Sequence, residues 1–525
     1  MLSQLRKGST RALIKGATRS AVPQCCAAAR TAPSALRKLS TSSTRLNLAS
    51  QTPRSTPLTA GKERGTPLVP AELLQVLEET IKTHGPLPVS RYMTLCLAHP
   101  TFGYYTTRKV FGSSGDFITS PEISQIFGEL LAIWYVTQWA AQGASPRVRI
   151  VELGPGRGTL LSDILRTFKS LPKHSSPPVT SIHLVENSEA LREEQKKKLQ
   201  AGGFGDIPVS WWGSVDEVPP TNDEFTVIVA HEFFDALPIH VFENTSNGWR
   251  EVMVDIADPK AIIIPGKPRK PLRLVLSPSP TPASTLYTRL STLAEETTPP
   301  TPSPSASSAL SFDTTLPPAH SPSPAPRAAA SASSSSPQQQ SISPTLARFA
   351  RLPEGSRMEI SPASWEVARG MGRLLGGERG GAGLVVDYGD AKAFGRSWRG
   401  FRKHQVVDPL SEPGHTDLTA NVDFSYLAEA MGDLATSHGP LPQSTFLTSL
   451  GLQPRLAGLL RAATPERKKE IESAAKRLID STGMGSQYKV MAITPKRTEG
   501  APEEECFPFL KEAAEGAAEG AEEKT

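Results

Sequence analysis

The chain has 525 residues, 38% of them hydrophobic, 21% charged and 6% aromatic, enough apolar content for a sizeable core, while 48 Pro and 40 Gly exceed what one compact domain uses. No run of eighteen apolar residues occurs, which excludes a hydrophobic transmembrane helix, and four scattered cysteines (Cys25, Cys26, Cys96, Cys506) exclude a disulfide framework or a cysteine-based zinc site; no metal is expected. The net charge of +5 comes from one end: residues 1–62 hold 11 of the 57 Lys and Arg and no acid, so the remainder is at −6 and lacks the basic face that nucleic-acid binding requires.

Taken in chain order, residues 1–62 read as a mitochondrial transit peptide, being rich in Arg, Ser and Ala without acids, with Arg37-Lys38-Leu39-Ser40-Thr41-Ser42-Ser43 as a cleavage site for the matrix peptidase. Residues 63–146 form an N-terminal helical region. Within it a helix is predicted from Pro121 to Trp139, with Ser120 as N-cap and Ile123, Ile126, Phe127, Leu130, Leu131 and Trp134 on one face. Residues 147–296 alternate strands and helices. Arg147–Leu153 is a β-branched strand, Leu160, Leu161, Ile164, Leu165 and Phe168 recur at helical spacing, Ser181–Glu186 is a second strand and Ser188–Gln200 a charged helix. Val209–Trp212, Phe225–Ala230 and, later, Gly383–Val386 add three more strands. This alternation predicts an α/β fold built on a doubly wound, mostly parallel sheet. At 297–344, Pro and Ser fill 25 of 48 positions and only Asp313 and Arg327 are charged, which predicts a disordered insertion. The sheet resumes within 345–496, and residues 497–525, rich in Glu, Ala and Gly, read as an acidic disordered tail.

The chemistry concentrates at strand ends. In Glu152-Leu153-Gly154-Pro155-Gly156-Arg157-Gly158-Thr159 a strand turns into a helix through Gly154, Gly156 and Gly158, which let the backbone approach a ligand closely while the helix start offers free N–H groups. Glycines at alternate positions differ from the G-x-G-x-x-G of nicotinamide sites and resemble the first motif of class I S-adenosylmethionine methyltransferases. Glu186 ends the next strand, the place from which a carboxylate reaches ribose hydroxyls, although a solvated acid pairing with Arg192 or Lys196 would look the same. Ser214, in the turn after the third strand, would line an adenine. The fourth strand ends in Ala230-His231-Glu232-Phe233-Phe234-Asp235-Ala236-Leu237-Pro238, which places His231, Glu232 and Asp235 at the crevice where an acceptor meets a donor; as first-turn acids Glu232 and Asp235 would equally suit a helix dipole.

Six blocks, Phe111–Ser124, Glu152–Gly158, Ala230–Pro238, Asp387–Gly389, Gly414–Phe424 and Met484–Ile493, resemble in this order the MidA family. The resemblance covers about Pro70 to Lys496 apart from the Pro/Ser insertion. It implies a Rossmann-like methyltransferase sheet, S-adenosyl-L-methionine as cofactor and a location in the mitochondrial matrix. It also implies symmetric dimethylation of an arginine on a peripheral-arm iron–sulfur subunit of complex I, and so a type II protein arginine methyltransferase that assists complex I assembly. Among the acids in these blocks, Glu122, Glu232, Asp235, Asp387 and Asp417 are, with His231, the catalytic candidates. Glu152, Gly154, Gly156, Gly158, Glu186 and Ser214 are the cofactor candidates. Two other readings remain: an assembly chaperone that keeps the fold without catalysis, against which the intact glycine turn and Glu186 argue, and a nicotinamide-dependent oxidoreductase, against which the glycine spacing argues.

Overall fold

The computed structural model describes residues 71–107, 119–144, 147–258, 270–292, 352–496 and 506–510. The leader at 1–62, the Pro/Ser segment at 297–344 and positions 111–118 of the first family block lie outside them. Among the described residues no helix is long and apolar enough to cross a membrane.

A central eight-stranded sheet contains, in chain order, β1 (Val148–Leu153), β2 (Val179–Val185), β3 (Val209–Trp212), β4 (Phe225–His231), β5 (Gly381–Asp390), β6 (Val422–Asp423), β7 (Ala435–Pro442) and β8 (Tyr488–Pro495). Its spatial order is β3-β2-β1-β4-β5-β8-β7, with β6 paired to the end of β5. β3 through β5 run parallel, and β8 is antiparallel to both its neighbours. Every strand expected from the sequence is present, so the doubly wound α/β reading holds. Alternation along each strand feeds two cores. Val148, Ile150, Val227, Val229, Leu384 and Val386 face the helices Gln125–Ala141 and Thr159–Ser170, whereas Val151, Leu153, Ile228, Ala230 and Val385 face Pro362–Leu374 and Phe424–Met431.

Three differences from the sequence reading matter for the site. The helix expected over Pro121–Trp139 is two helices, Ser120–Ile123 and Gln125–Ala141, because Ser124 is extended (φ −158°, ψ 132°) and its side chain caps the second by accepting from Ile126 N–H. The predicted apolar face survives in the longer helix. Secondly, the helices within residues 71–98 pack against a sheet that the sequence reading did not foresee. Helices Ala71–His84 and Val89–Ala98 pack on a second sheet, in which Leu87–Pro88 from between these helices joins His240–Thr245, Gly248–Ile256, Leu272–Leu276 and Arg357–Ile360, four strands that the chain inserts between β4 and β5. Thirdly, the expected acidic tail contains a packed segment. Cys506 and Phe509 are buried in the core beside Trp134 and Phe446, and the Trp134 indole donates to the Phe507 carbonyl (2.9 Å), because an aromatic tripeptide interrupts an otherwise polar stretch. A third, three-stranded sheet (Arg399–Arg402, Gln405–Val407, Asp417–Thr419) completes the wall of the site.

Candidate active site

A cavity of about 1590 Å³ opens at the carboxyl ends of β1, β2, β4 and β5. Its lining includes Glu122, Glu152, Gly154, Gly156, Glu186, Ser214, His231, Glu232, Asp235 and Asp417, so residues up to 295 positions apart in sequence meet at one place. Gly158 and Asp387 do not line it.

On the cofactor side, the turn after β1 has left-handed backbone at Gly154 (φ +62°), Gly156 (φ +50°) and Gly158 (φ +74°), a run that side chains disfavour. Gly158 caps the Thr159–Ser170 helix rather than facing the cavity. A Cβ at Gly154 would lie 2.7 Å from the Phe233 ring, so this glycine is required by packing within the protein as well as by any ligand. Glu152 is buried at the end of β1, its Oε2 has no hydrogen-bond partner among the described residues, and burial pushes its carboxyl up to about 8. Glu186 follows β2. Its Oε1 accepts from Ser188 N–H (2.8 Å) and its Oε2 from the Gln195 amide (3.4 Å), while Arg192 binds the Glu186 backbone carbonyl instead of its carboxylate. The carboxylate is therefore not spent on Arg192, and desolvation raises its pKa.

On the acceptor side, β4 ends at His231 and the chain turns sharply at Glu232, a non-glycine residue at φ +49° whose N–H bonds Val386 O (2.9 Å). Such strain persists only where surrounding contacts enforce it. Asp387 supplies the enforcement. Its fully buried carboxylate accepts from Phe234 N–H (3.1 Å), Asp235 N–H (3.3 Å) and Tyr388 N–H (2.9 Å), so this member of the catalytic set sits behind the cavity wall as the anchor of the 232–235 turn. Three tyrosines the sequence reading passed over face the acids. Tyr388 donates to Asp235 Oδ2, Tyr105 to Asp417 Oδ1 (2.9 Å), and the Tyr488 hydroxyl faces the Glu232 carboxylate together with Ser120 N–H. Tyr388 and Tyr488 stood in recognised blocks, whereas Tyr105 reaches Asp417 across 312 positions and left no local signal.

The electrostatics follow from burial. Desolvation and the Asp235 charge push Glu232 up to about 8, desolvation raises Asp235 against the Tyr388 bond and Arg399, and desolvation lowers His231 to about 3, leaving its imidazole neutral. Arg399 stacks on Tyr388 (4.9 Å to the ring centre) and bonds Asn421 Oδ1 (2.7 Å). Among the described residues, Glu122 Oε2, His231 Nε2 and Glu232 Oε1 are buried without hydrogen-bond partners, and His231 Nε2 lies 3.4 Å from Glu232 Oε1. Glu122 is brought in by the short Ser120–Ile123 helix, its Oε1 3.9 Å from Arg157.

A family model for S-adenosyl-L-methionine-dependent methyltransferases matches residues 130–441. The chain belongs to this methyltransferase family. Curated relatives titled "Protein arginine methyltransferase NDUFAF7, mitochondrial" include one from Danio rerio, 35% identical over 80% of this chain and 86% of the relative, and one from Homo sapiens, 34% identical over 81% and 83%. A Burkholderia thailandensis protein solved with S-adenosyl-homocysteine bound shares the fold at a TM-score of 0.59 and 24% identity, over 83% of this chain and 95% of that one. S-adenosyl-L-methionine is accordingly the cofactor, and an unpartnered buried acid beside a glycine turn suits a ligand with a cationic amino-acid end.

Proposed function

We propose that the chain methylates a protein arginine in the mitochondrial matrix, and that the target is a peripheral-arm iron–sulfur subunit of complex I, symmetrically dimethylated to assist assembly. The observation that carries the arginine reading is the pair of buried oxygens, Glu122 Oε2 and Glu232 Oε1, left without partners beside the donor side of the cavity. Buried unpaired acids are costly, and a guanidinium, permanently protonated with a planar fork of donors, satisfies both at once. Asp235, occupied by Tyr388 and faced by Arg399, is less suited to the clamp than Glu232. The relatives' titles carry the arginine and mitochondrial readings in the same direction.

In this reading Glu186 holds the ribose hydroxyls, the Gly154–Gly156 turn and Glu152 the amino-acid end, and Ser214 lines the adenine. The bound cofactor supplies a methyl group on a positively charged sulfur. Glu122 and Glu232 orient one guanidinium nitrogen and stabilise the cation, which is positioning and electrostatic catalysis. As that nitrogen gains its methyl it loses a proton, and the Glu232 carboxylate, whose proton affinity burial has raised, accepts it at Oε1. Asp387 takes no part beyond holding the 232–235 turn. The intact acceptor wall argues against a chaperone that has lost catalysis.

Incubating purified complex I iron–sulfur subunit with this protein and methyl-labelled S-adenosylmethionine, followed by mass spectrometry, tests the proposal. Label on an arginine, with fragment ions of symmetric dimethylarginine, is the expected result. Label on another residue type, or only on small molecules, overturns it.

A further inference from the structure

Gln195 lies on the Glu189–Ala201 helix, fully buried, and touches the loops that follow β1 and β2 and the strand β3 itself. Its Nε2 donates to the Gly156 carbonyl (2.7 Å) and to Glu186 Oε2 (3.4 Å), and its Oε1 accepts from the Trp211 indole (2.8 Å). The amide orientation is dictated by its partners: an indole N–H only donates and a carbonyl only accepts, so Oε1 must face Trp211 and Nε2 must face Gly156. No other side chain of this size offers two donors and an acceptor on one planar group.

We propose that Gln195 is a positioning residue for the cofactor. By binding the Gly156 carbonyl it fixes the left-handed turn that leaves the glycine backbone open to the ligand, and by donating to Glu186 Oε2 it aims that carboxylate, whose other oxygen the Ser188 N–H already holds. The bond from Trp211 prevents the amide from flipping, which would set its oxygen against two acceptors. Gln195 thus ties the two cofactor loops after β1 and β2 together and braces both against β3. The inference rests on the assignment of Glu186 and the glycine turn to the cofactor.

Calorimetric titration with S-adenosyl-homocysteine on full-length Glu186→Ala, Gln195→Leu, Trp211→Phe and the Glu186→Ala/Gln195→Leu double variant separates the two. Gln195→Leu is expected to weaken affinity by about tenfold or more, the worth of one hydrogen bond to a charged group, and Trp211→Phe by less. In the Glu186→Ala background the further loss should be smaller than the single-variant effect, because the part of the Gln195 contribution that runs through Glu186 is already gone and only its hold on the Gly156 turn remains. A merely structural glutamine would lower the melting temperature and leave the folded fraction with wild-type affinity, and that outcome, or strictly additive losses, overturns the proposal. Should Gln195→Leu fail to fold, Trp211→Phe binding as tightly as wild type while Glu186→Ala is weak overturns it equally. Wild-type affinity in Glu186→Ala itself would instead bring down the cofactor-site assignment.

Discussion

Glu232 decides the pH behaviour of the acceptor site. Its folded pKa of about 8 lies above the ordinary carboxylate value, so in the free protein it stays protonated through the neutral range. The stability this contributes is fully present below the ordinary carboxylate pKa and is lost as pH rises towards about 8, so the melting temperature of Glu232→Gln relative to wild type should rise across that window. His231 works in the opposite direction: depressed to about 3, it contributes stability above the ordinary histidine pKa that is lost as pH falls towards about 3. Activity should climb as Glu232 ionises, giving kcat/KM a limb that rises with pH and that Glu232→Gln abolishes. Glu122→Gln and Glu232→Gln should each reduce methyl transfer by about a hundredfold or more with cofactor affinity held; near-normal turnover in both would move the clamp to Asp235 or Asp417. The glycines differ from one another. Gly154→Val drives a side chain into the Phe233 ring as well as forcing a left-handed backbone and should lower melting temperature most, whereas Gly156→Val carries the left-handed backbone strain alone and should lower it less while still weakening binding, as differential scanning and calorimetry on the same preparations will show.

At the scale of elements, two short features put these residues in place. Ser124 ends one helix and caps the next, so Ser124→Ala should cost about 1 kcal/mol by denaturant unfolding. Asp387 secures the strained turn at Glu232. Asp387→Ala strands three buried N–H groups and should destabilise the fold by about 3 kcal/mol or more, with activity lost in proportion to folded protein. The central sheet was legible because its strands are β-branched and apolar on both faces, a pattern local enough to read. The cofactor turn was legible because glycine spacing reports backbone geometry directly. What escaped were interactions joined only by the fold: Tyr105 with Asp417, Gln195 with Gly156, and the role of Asp387, which follows the predicted strand Gly383–Val386 as a site acid would yet binds backbone N–H groups. The second sheet escaped as well, since strands such as Arg357–Ile360 are too short and too mixed in polarity to stand out.

For the molecule as a whole, the segment 506–510 is part of the body. Truncation after residue 505 removes Cys506 and Phe509 from the core and the acceptor of the Trp134 indole; the loss of the phenylalanine alone predicts about 3 kcal/mol or more of destabilisation and a red shift of tryptophan emission. Deleting 297–344 with a short Gly/Ser bridge should, by contrast, leave methyl transfer intact, because closure entropy changes slowly with loop length. Activity lost on that deletion would assign the segment a part in substrate binding.

The position of β8 governs the order in which the chain can become a protein. Among the described residues it is the last strand to leave the ribosome, yet it lies between β5 and β7, whose pairing edges stay open until it arrives. Nothing synthesised earlier can take its place, because β7 touches the sheet only through β8. Any chain that stops short of Tyr488 therefore presents two unsatisfied strand edges, a template for sticking to its neighbours. Completion is thus tied to full length: the sheet closes only when the terminal strand inserts, and contacts so distant in sequence form late. A chaperone that holds the nascent or newly delivered chain would have to cover the β5 edge until then.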